Sequence, residues 1–325
     1  MATSKQLAKK YEADCQYLHH LFSGYSASRD EARAAVEIFT HRNTEELKLI
    51  CQAYRALYSC DLFHLLTRHN TTFARVAYLR ASEPSNLDAE ITREALFGTA
   101  LNTDVLIEII CTRSSSELVS TKQAYQARYN SNLERDVSFK INGNIKEVLL
   151  AALNSNKYNG GRVDTSMAMC DAKTLYEAIE SGKYIDQRCI ILVLSQRSTD
   201  QIKAILSSYK QLYGREFTKF LKKEKCGEFG QLLRGVIQCI QFPEKHFAKQ
   251  LRKRLKAGDA REVLIRTVVT RSEIDVRNIN RVFTAKTGWT LESVIRNEFS
   301  NSSSYNDKLY YSVGDFLVAL LEQSC

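Results

Sequence analysis

The chain has 325 residues, 44% apolar and 26% charged, a composition that can bury a sizeable core and excludes a wholly disordered chain. Its nine cysteines are an odd number, scattered without a CxxC pair or ligand-spaced histidines, which argues against a disulfide framework or structural zinc and for the reducing cytoplasm. The polar start MATSKQLAKKYEADC lacks an apolar secretory core, and the longest apolar runs, such as residues 189 to 194, are too short to cross a bilayer, so a soluble protein is expected.

Only Pro84 and Pro243 punctuate long segments rich in Leu, Ala, Glu, Lys and Arg, and the expected fold class is all-α. In chain order, four segments share one grammar: THRNTEELKLICQAY, CTRSSSELVSTKQAY, SQRSTDQIKAILSSY and VTRSEIDVRNINRVF. Twelve residues after Arg42, Arg113, Arg197 and Arg271 stand Tyr54, Tyr125, Tyr209 and Phe283, and eight further on come Leu62, Leu133, Phe217 and Leu291. Each arginine is followed by Asn43, Ser114, Ser198 or Ser272, and three residues later by Glu46, Glu117, Gln201 or Asp275. This is the spacing of a capping box, in which the small polar side chain accepts from a free helix-start N–H and the later side chain reaches back. Four helices are therefore predicted to begin at equivalent positions. The arginines lie 71, 84 and 74 residues apart, room for about four or five helices per copy, and NKYNGGRVD (156 to 164) separates the two halves.

Four copies built on [TS]-x-R-[NS]-x-x-[ED]-hydrophobic, running from about residue 14 to 321, resemble the annexin family, and residues 107 to 137 and 238 to 252 are similar to plant-type annexins. The resemblance implies four repeats of about five helices in a curved disc: residues 12–83, 84–156, 167–242 and 243–325, the last with an insertion near 301–313. It also implies a cytoplasmic protein, peripheral at membranes, that meets anionic phospholipid through bound Ca2+.

The family's calcium site needs a G-x-G-T loop presenting carbonyls and an acid 40 residues after the second glycine, because calcium takes six to eight oxygens. This sequence departs from that pattern. Repeat one reads GYSASRDE, with Gly24 kept, Ser26 at the second glycine and His69 at the acid position; repeat two has Lys140 there. Repeat three offers Glu224 before Gly227, but its first loop is ESGKYID. Repeat four is the best remnant, a weak site of Lys256, Gly258 and Glu298, with Lys256 at the first glycine. After Glu298 the segment NSSSYNDKLYYSV precedes Gly314, Asp315 and Phe316, and its Asp307 is a further candidate ligand.

Charge supplies a second route to the membrane. Residues 203 to 266 hold sixteen Lys and Arg against six Asp and Glu, within a net charge of +9 for the whole chain. Two dense runs, TKFLKKEK (218 to 225) and KQLRKRLKAG (249 to 258), fall on loops that the resemblance places toward lipid. They make Lys222, Lys223, Lys225, Arg252, Lys253, Arg254 and Lys256 candidate lipid contacts. The resemblance also implies a central polar channel of Asp88, Glu108, Arg113 and Arg271, linked in the family to ion permeation. Its alternative role is to orient the two halves through buried opposite charges.

No phosphate-loop, G-x-G-x-x-G, H-E-x-x-H or G-x-S-x-G motif occurs, and the expectation is no enzyme. His41, Cys111 and Cys239 match plant-type positions for which haem, peroxidase or redox roles have been suggested. No nucleic-acid-binding signature accompanies the basic runs, and CIILVLSQR lacks the arginine of the family's proposed actin-binding stretch. The alternatives to membrane binding are a cytoskeletal or protein-interaction scaffold and an ion-conducting or peroxidase-like annexin.

Overall fold

Each copy of the repeated grammar folds into five helices. The computed structural model describes residues 4–23, 29–154, 162–180, 182–300 and 311–323, and among these no strand occurs. A short helix α1 (Ser4–Lys10) precedes repeat one, which consists of α2 (Glu12–Phe22), α3 (Arg29–His41), α4 (Thr44–Tyr58), α5 (Leu62–Arg68) and α6 (Thr72–Ala81). Repeat two is α7 (Pro84–Phe97), α8 (Thr103–Thr112), α9 (Ser115–Tyr129), α10 (Leu133–Lys140) and α11 (Gly143–Asn154). Repeat three is α12 (Thr165–Glu180), α13 (Gln187–Ser195), α14 (Thr199–Tyr213), the single turn α15 (Phe217–Phe220) and α16 (Gly227–Gln241). Repeat four is α17 (Pro243–Ala257), α18 (Arg261–Arg271), α19 (Val276–Thr287), α20 (Leu291–Ser300) and α21 (Tyr311–Gln323). Helix α21 begins inside the segment expected as an insertion, the rest of which, residues 301–310, lies outside the described residues.

The repeated aromatic is fully buried in every copy: Tyr54, Tyr125, Tyr209 and Phe283 are each 0% exposed, and Leu62, Leu133, Phe217 and Leu291 are buried beside them. Burying such a side chain contributes about 1.5–3 kcal/mol, which explains why the spacing is kept while the surfaces between have diverged. The predicted caps form at three of the four positions. Asn43 and Ser114 make complete capping boxes with Glu46 and Glu117, and Ser198 Oγ accepts from Gln201 N–H at 3.2 Å.

The fourth position is different, which corrects the expectation of four equivalent starts. Ser272 has helical backbone angles and donates its hydroxyl to Val269 O at 3.0 Å, and α19 starts only at Val276. The cause lies in the arginine's partner. Arg42, Arg113 and Arg197 each reach an aspartate on the first helix of their own repeat: Asp14 at 3.1 Å, Asp88 at 2.6 Å and Asp171 at 2.7 Å. Those aspartates immediately precede the buried small residues Cys15, Ala89 and Ala172. The residue before the buried Ala248 is Phe247, so Arg271 places its guanidinium 4.8 Å from the Phe247 ring and donates to Asp275 Oδ1 at 2.7 Å. Asp275 is thereby drawn away from a capping role.

The chain divides into two compact units, one made of residues up to Glu83 with those from Phe247 onward, the other of Pro84–His246. In the first unit, repeats one and four are joined by Arg80, which donates to Phe39 O at 3.1 Å and Arg42 O at 2.8 Å and pairs with Glu273 at 2.5 Å. Phe316 of α21 stacks near Phe39 and Phe73, with ring centroids 5.8 and 5.7 Å away. In the second unit, α8, α11, α13 and α16 pack side by side.

Asp88 is 3% exposed and Arg113 8%, so replacing either leaves the other charge buried and alone. Asp88→Ala should cost about 3–5 kcal/mol in the urea unfolding of the second unit. At the more exposed Asp14–Arg42 pair, Asp14→Ala should cost about 1 kcal/mol or less.

Candidate functional site

The second halves of α8, α11, α13 and α16 meet around one narrow apolar gap lined by Cys111, Val148, Ile191, Leu194 and Val236. The connections entering these helices carry Leu101 before α8, Phe139 and Lys140 before α11, Lys183 and Tyr184 before α13, and Lys222, Lys223 and Lys225 before α16. Three of these apolar side chains are largely uncovered: Tyr184 is 80% exposed, Phe139 77% and Leu101 45%.

Side-chain nitrogens occupy the spaces between loops. In repeat two, Lys140 Nζ lies 4.6 Å from the Phe97 ring at the end of the first helix. In repeat three, Lys223 pairs with Glu180 and stands 4.9 Å from the Phe220 ring. The first unit repeats the theme. His69 Nε2 lies 2.7 Å from Phe22 O, and Arg261 Nε faces Glu298 Oε2 at 3.8 Å. In all four repeats a basic side chain thus links the end of the fourth helix to the first helix or the start of the second.

This arrangement does not fit a calcium ion. Calcium needs six to eight oxygens with carboxylate charge among them. Glu298 is one carboxylate shared with Arg261, and Lys256, Arg252 and Lys286 line the same recess, so the surroundings of the remnant set Lys256, Gly258 and Glu298 are cationic on balance. Gly258 keeps the left-handed turn, at φ +75°, that a carbonyl-presenting loop uses. Among the described residues no group of three or more His, Cys, Asp or Glu is placed to hold a metal. Gly24, Ser26 and Asp307 lie outside the described residues.

The basic residues singled out from the sequence divide between the units. Lys222, Lys223 and Lys225 sit in the second, Arg252, Lys253, Arg254 and Lys256 on the last turns of α17 in the first. Arg254 is tied to Asp259 at 2.5 Å and Lys223 to Glu180, whereas Lys222, Lys225, Arg252 and Lys256 make no ion pair among the described residues. Phe139, Tyr184, Lys183, Lys286 and Trp289 escaped sequence reasoning. The one available signal was that Trp289 is the only tryptophan and follows Gly288.

The polar-channel residues divide in the same way. In the second unit Asp88 accepts from Arg113 Nε at 2.6 Å and Nη2 at 2.8 Å, with Glu108 buried in the same unit. Burial opposes the charge on Arg113, yet Asp88, with Glu108 and Glu117 behind it, holds its pKa above the usual arginine range. Arg271 belongs to the first unit and pairs with Asp275. His41 is engaged at both ring nitrogens, by Glu37 O at 3.0 Å and the Gln323 side chain at 2.9 Å, and Cys111 and Cys239 are buried.

Comparison with known proteins bears on this geometry. The model of the family described as Annexin matches residues 87–152, 170–236 and 246–304. Annexin D7 of Arabidopsis thaliana is 35% identical over 305 residues, covering 93% of this chain and 95% of that protein. The solved structure of annexin III superposes with a TM-score of 0.82 at 26% identity, over 96% of this chain and 92% of that one. Calcium-bound annexin (Sm)1 shares the fold at 22% identity, with a TM-score of 0.79 over 99% of this chain and 92% of that one.

Calcium at about 1 mM, the weak end of biological calcium sites, should leave the thermal unfolding midpoint of this chain within a degree of its value in chelator. A rise of several degrees that Glu298→Gln abolishes would restore the metal site of repeat four.

Proposed function

Because the chain belongs to the annexin family, of the plant type, whose members bind calcium and phospholipid membranes, we propose that it attaches peripherally to anionic phospholipid by direct cation–phosphate contact rather than through calcium. The observation that carries this reading is that His69 and Lys140 stand at the acid positions of repeats one and two, while Lys223 and Arg261 face the carboxylates Glu180 and Glu298 in repeats three and four. A cation fixed to the chain does for a phosphate what a bridging ion would do, without needing the ion. No helix among the described residues is long and apolar enough to cross a membrane, so attachment is at the surface.

The connections entering α11, α13 and α16 have the chemistry for it. Lys140, Lys183, Lys222 and Lys225 present charge, each contributing about 1 kcal/mol near an anionic leaflet. Phe139 and Tyr184 stand between them, exposed in water and able to enter the headgroup region. The burial of Cys111 and Cys239 and the engagement of His41 favour a binding protein over an oxidoreductase.

In co-sedimentation, binding to phosphatidylserine vesicles should persist in chelator, fall with salt and be absent on phosphatidylcholine. The triple variant Lys140→Gln, Lys222→Gln, Lys225→Gln should lose about 3 kcal/mol, on the order of a hundredfold in affinity. Phe139→Ser should weaken binding by about tenfold and make the remainder more salt-sensitive, since the apolar share of the attachment is not screened. Binding that requires calcium, or that the triple variant retains in full, would overturn the proposal; no binding in any condition would move the scaffold reading to first place.

A further inference from the structure

Between the last turns of α17, the turn joining α19 to α20, and α20 itself lies an open recess of about 820 Å³. That is within the roughly 300–1,000 Å³ typical of small-ligand sites. Arg252 and Lys256 line it from α17 and Lys286 from the end of α19. These three cations make no ion pair among the described residues. From α20 come the Ser293 hydroxyl and the Glu298 carboxylate, the latter tempered by Arg261 at 3.8 Å. The Trp289 indole, 63% exposed, forms a wall.

The turn that carries Trp289 is held in place from three sides. Gly288, at φ +78°, ends α19 and donates its N–H to Thr284 O at 2.8 Å. Trp289 N–H donates to Thr287 Oγ1 at 3.2 Å, and Leu291 N–H donates to Asn280 Oδ1 at 2.9 Å. A wall whose backbone is already ordered loses little entropy when a ligand arrives.

We propose that this recess binds a phosphorylated inositol headgroup. Arg252, Lys256 and Lys286 bring three positive charges to the recess, against the roughly 1.5 to 2 negative charges of one phosphate monoester at neutral pH, so a ligand with more than one phosphate matches it better. A carboxylate on the same wall repels bare phosphate but accepts hydrogen bonds from ring hydroxyls, as Ser293 also can. The apolar C–H face of the ring then lies against the indole. The inference rests on the membrane reading and names the lipid class that this unit selects; the same headgroup chemistry is found free in solution and at a bilayer surface.

Trp289 is the only tryptophan of the chain, so intrinsic fluorescence reports from the recess itself. The full chain is titrated with inositol trisphosphate, with inorganic phosphate, and with phosphatidylcholine vesicles carrying either phosphatidylinositol bisphosphate or phosphatidylserine at matched surface charge. A saturable change in emission is expected with inositol trisphosphate, at an affinity about tenfold or more above that for inorganic phosphate. Phosphatidylinositol bisphosphate vesicles should produce the same change and phosphatidylserine vesicles should not. Lys256→Gln combined with Lys286→Gln should weaken inositol trisphosphate by about tenfold or more, and Glu298→Gln should narrow the preference over inorganic phosphate, circular dichroism confirming the fold of each variant. The proposal is overturned by no saturable change with the free headgroup, by unchanged affinity in the double variant, or by equal response to the two vesicle types. Co-sedimentation with phosphatidylserine separates the two readings. If the recess fails while that binding persists, the loop mechanism stands alone; if that binding fails while inositol trisphosphate is held, the loop mechanism falls and the recess remains.

Discussion

The bond between the arginine that closes the second helix and an aspartate of the first is the constraint around which each repeat is arranged. Where it forms, as in Arg113 with Asp88, it ties down the corner at which the third helix must start, and the cap residue beside the arginine takes up its N–H groups. The third helix then delivers its aromatic to the middle of the bundle, where Tyr54, Tyr125 and Tyr209 are fully buried. A buried ion pair of this kind contributes little net stability against well-packed apolar residues, but it makes alternative corners costly. Repeat four tests the logic within the same chain. With Phe247 where the aspartate would be, Arg271 turns to Asp275, and α19 starts at Val276, after Ser272 has lost its capping role. The bundle survives because Phe283 and Leu291 still bury their side chains.

A second consistent exchange runs through the loops. A calcium site concentrates oxygens and negative charge so that a divalent cation can bridge protein and phosphate. In the attachment proposed for this chain a side-chain nitrogen takes that bridging part in each repeat: an imidazole, two ammonium groups and a guanidinium. Direct contact of this kind is weaker per group and screened by salt, with a Debye length of about 8 Å at physiological ionic strength. On the proposed mechanism, attachment would be graded with lipid charge and ionic strength instead of being switched by metal.

Aromatic side chains complement that electrostatic attachment. Phe139 and Tyr184 stand beside lysines, where approach to anionic lipid brings them to the depth at which aromatic rings partition. Trp289 is held differently, on a turn fixed by Gly288, Thr287 and Asn280, as the wall of a recess with three cations around it. One arrangement suits a general surface and the other a shaped ligand.

The sequence by itself determined the all-helical class, the four repeats and the aromatic and leucine positions of the core, because each rests on local spacing: helix period, cap chemistry and the distance from Arg to Tyr. It also put His69 and Lys140 where the family's pattern calls for a carboxylate. Tertiary structure alone decided the partners. That Phe247 would redirect Arg271, that repeats one and four would form one unit through Arg80 and Glu273, and that Lys223 would be held by Glu180 while Lys222 stayed unpaired depend on contacts between residues far apart in the chain. The exposure of Phe139 and the gathering of Lys286, Trp289 and Lys256 around one recess are of the same kind. Local spacing sets which face of a helix is apolar; which polar groups meet across helices is set only when those faces pack, and the recess and its charges are made there.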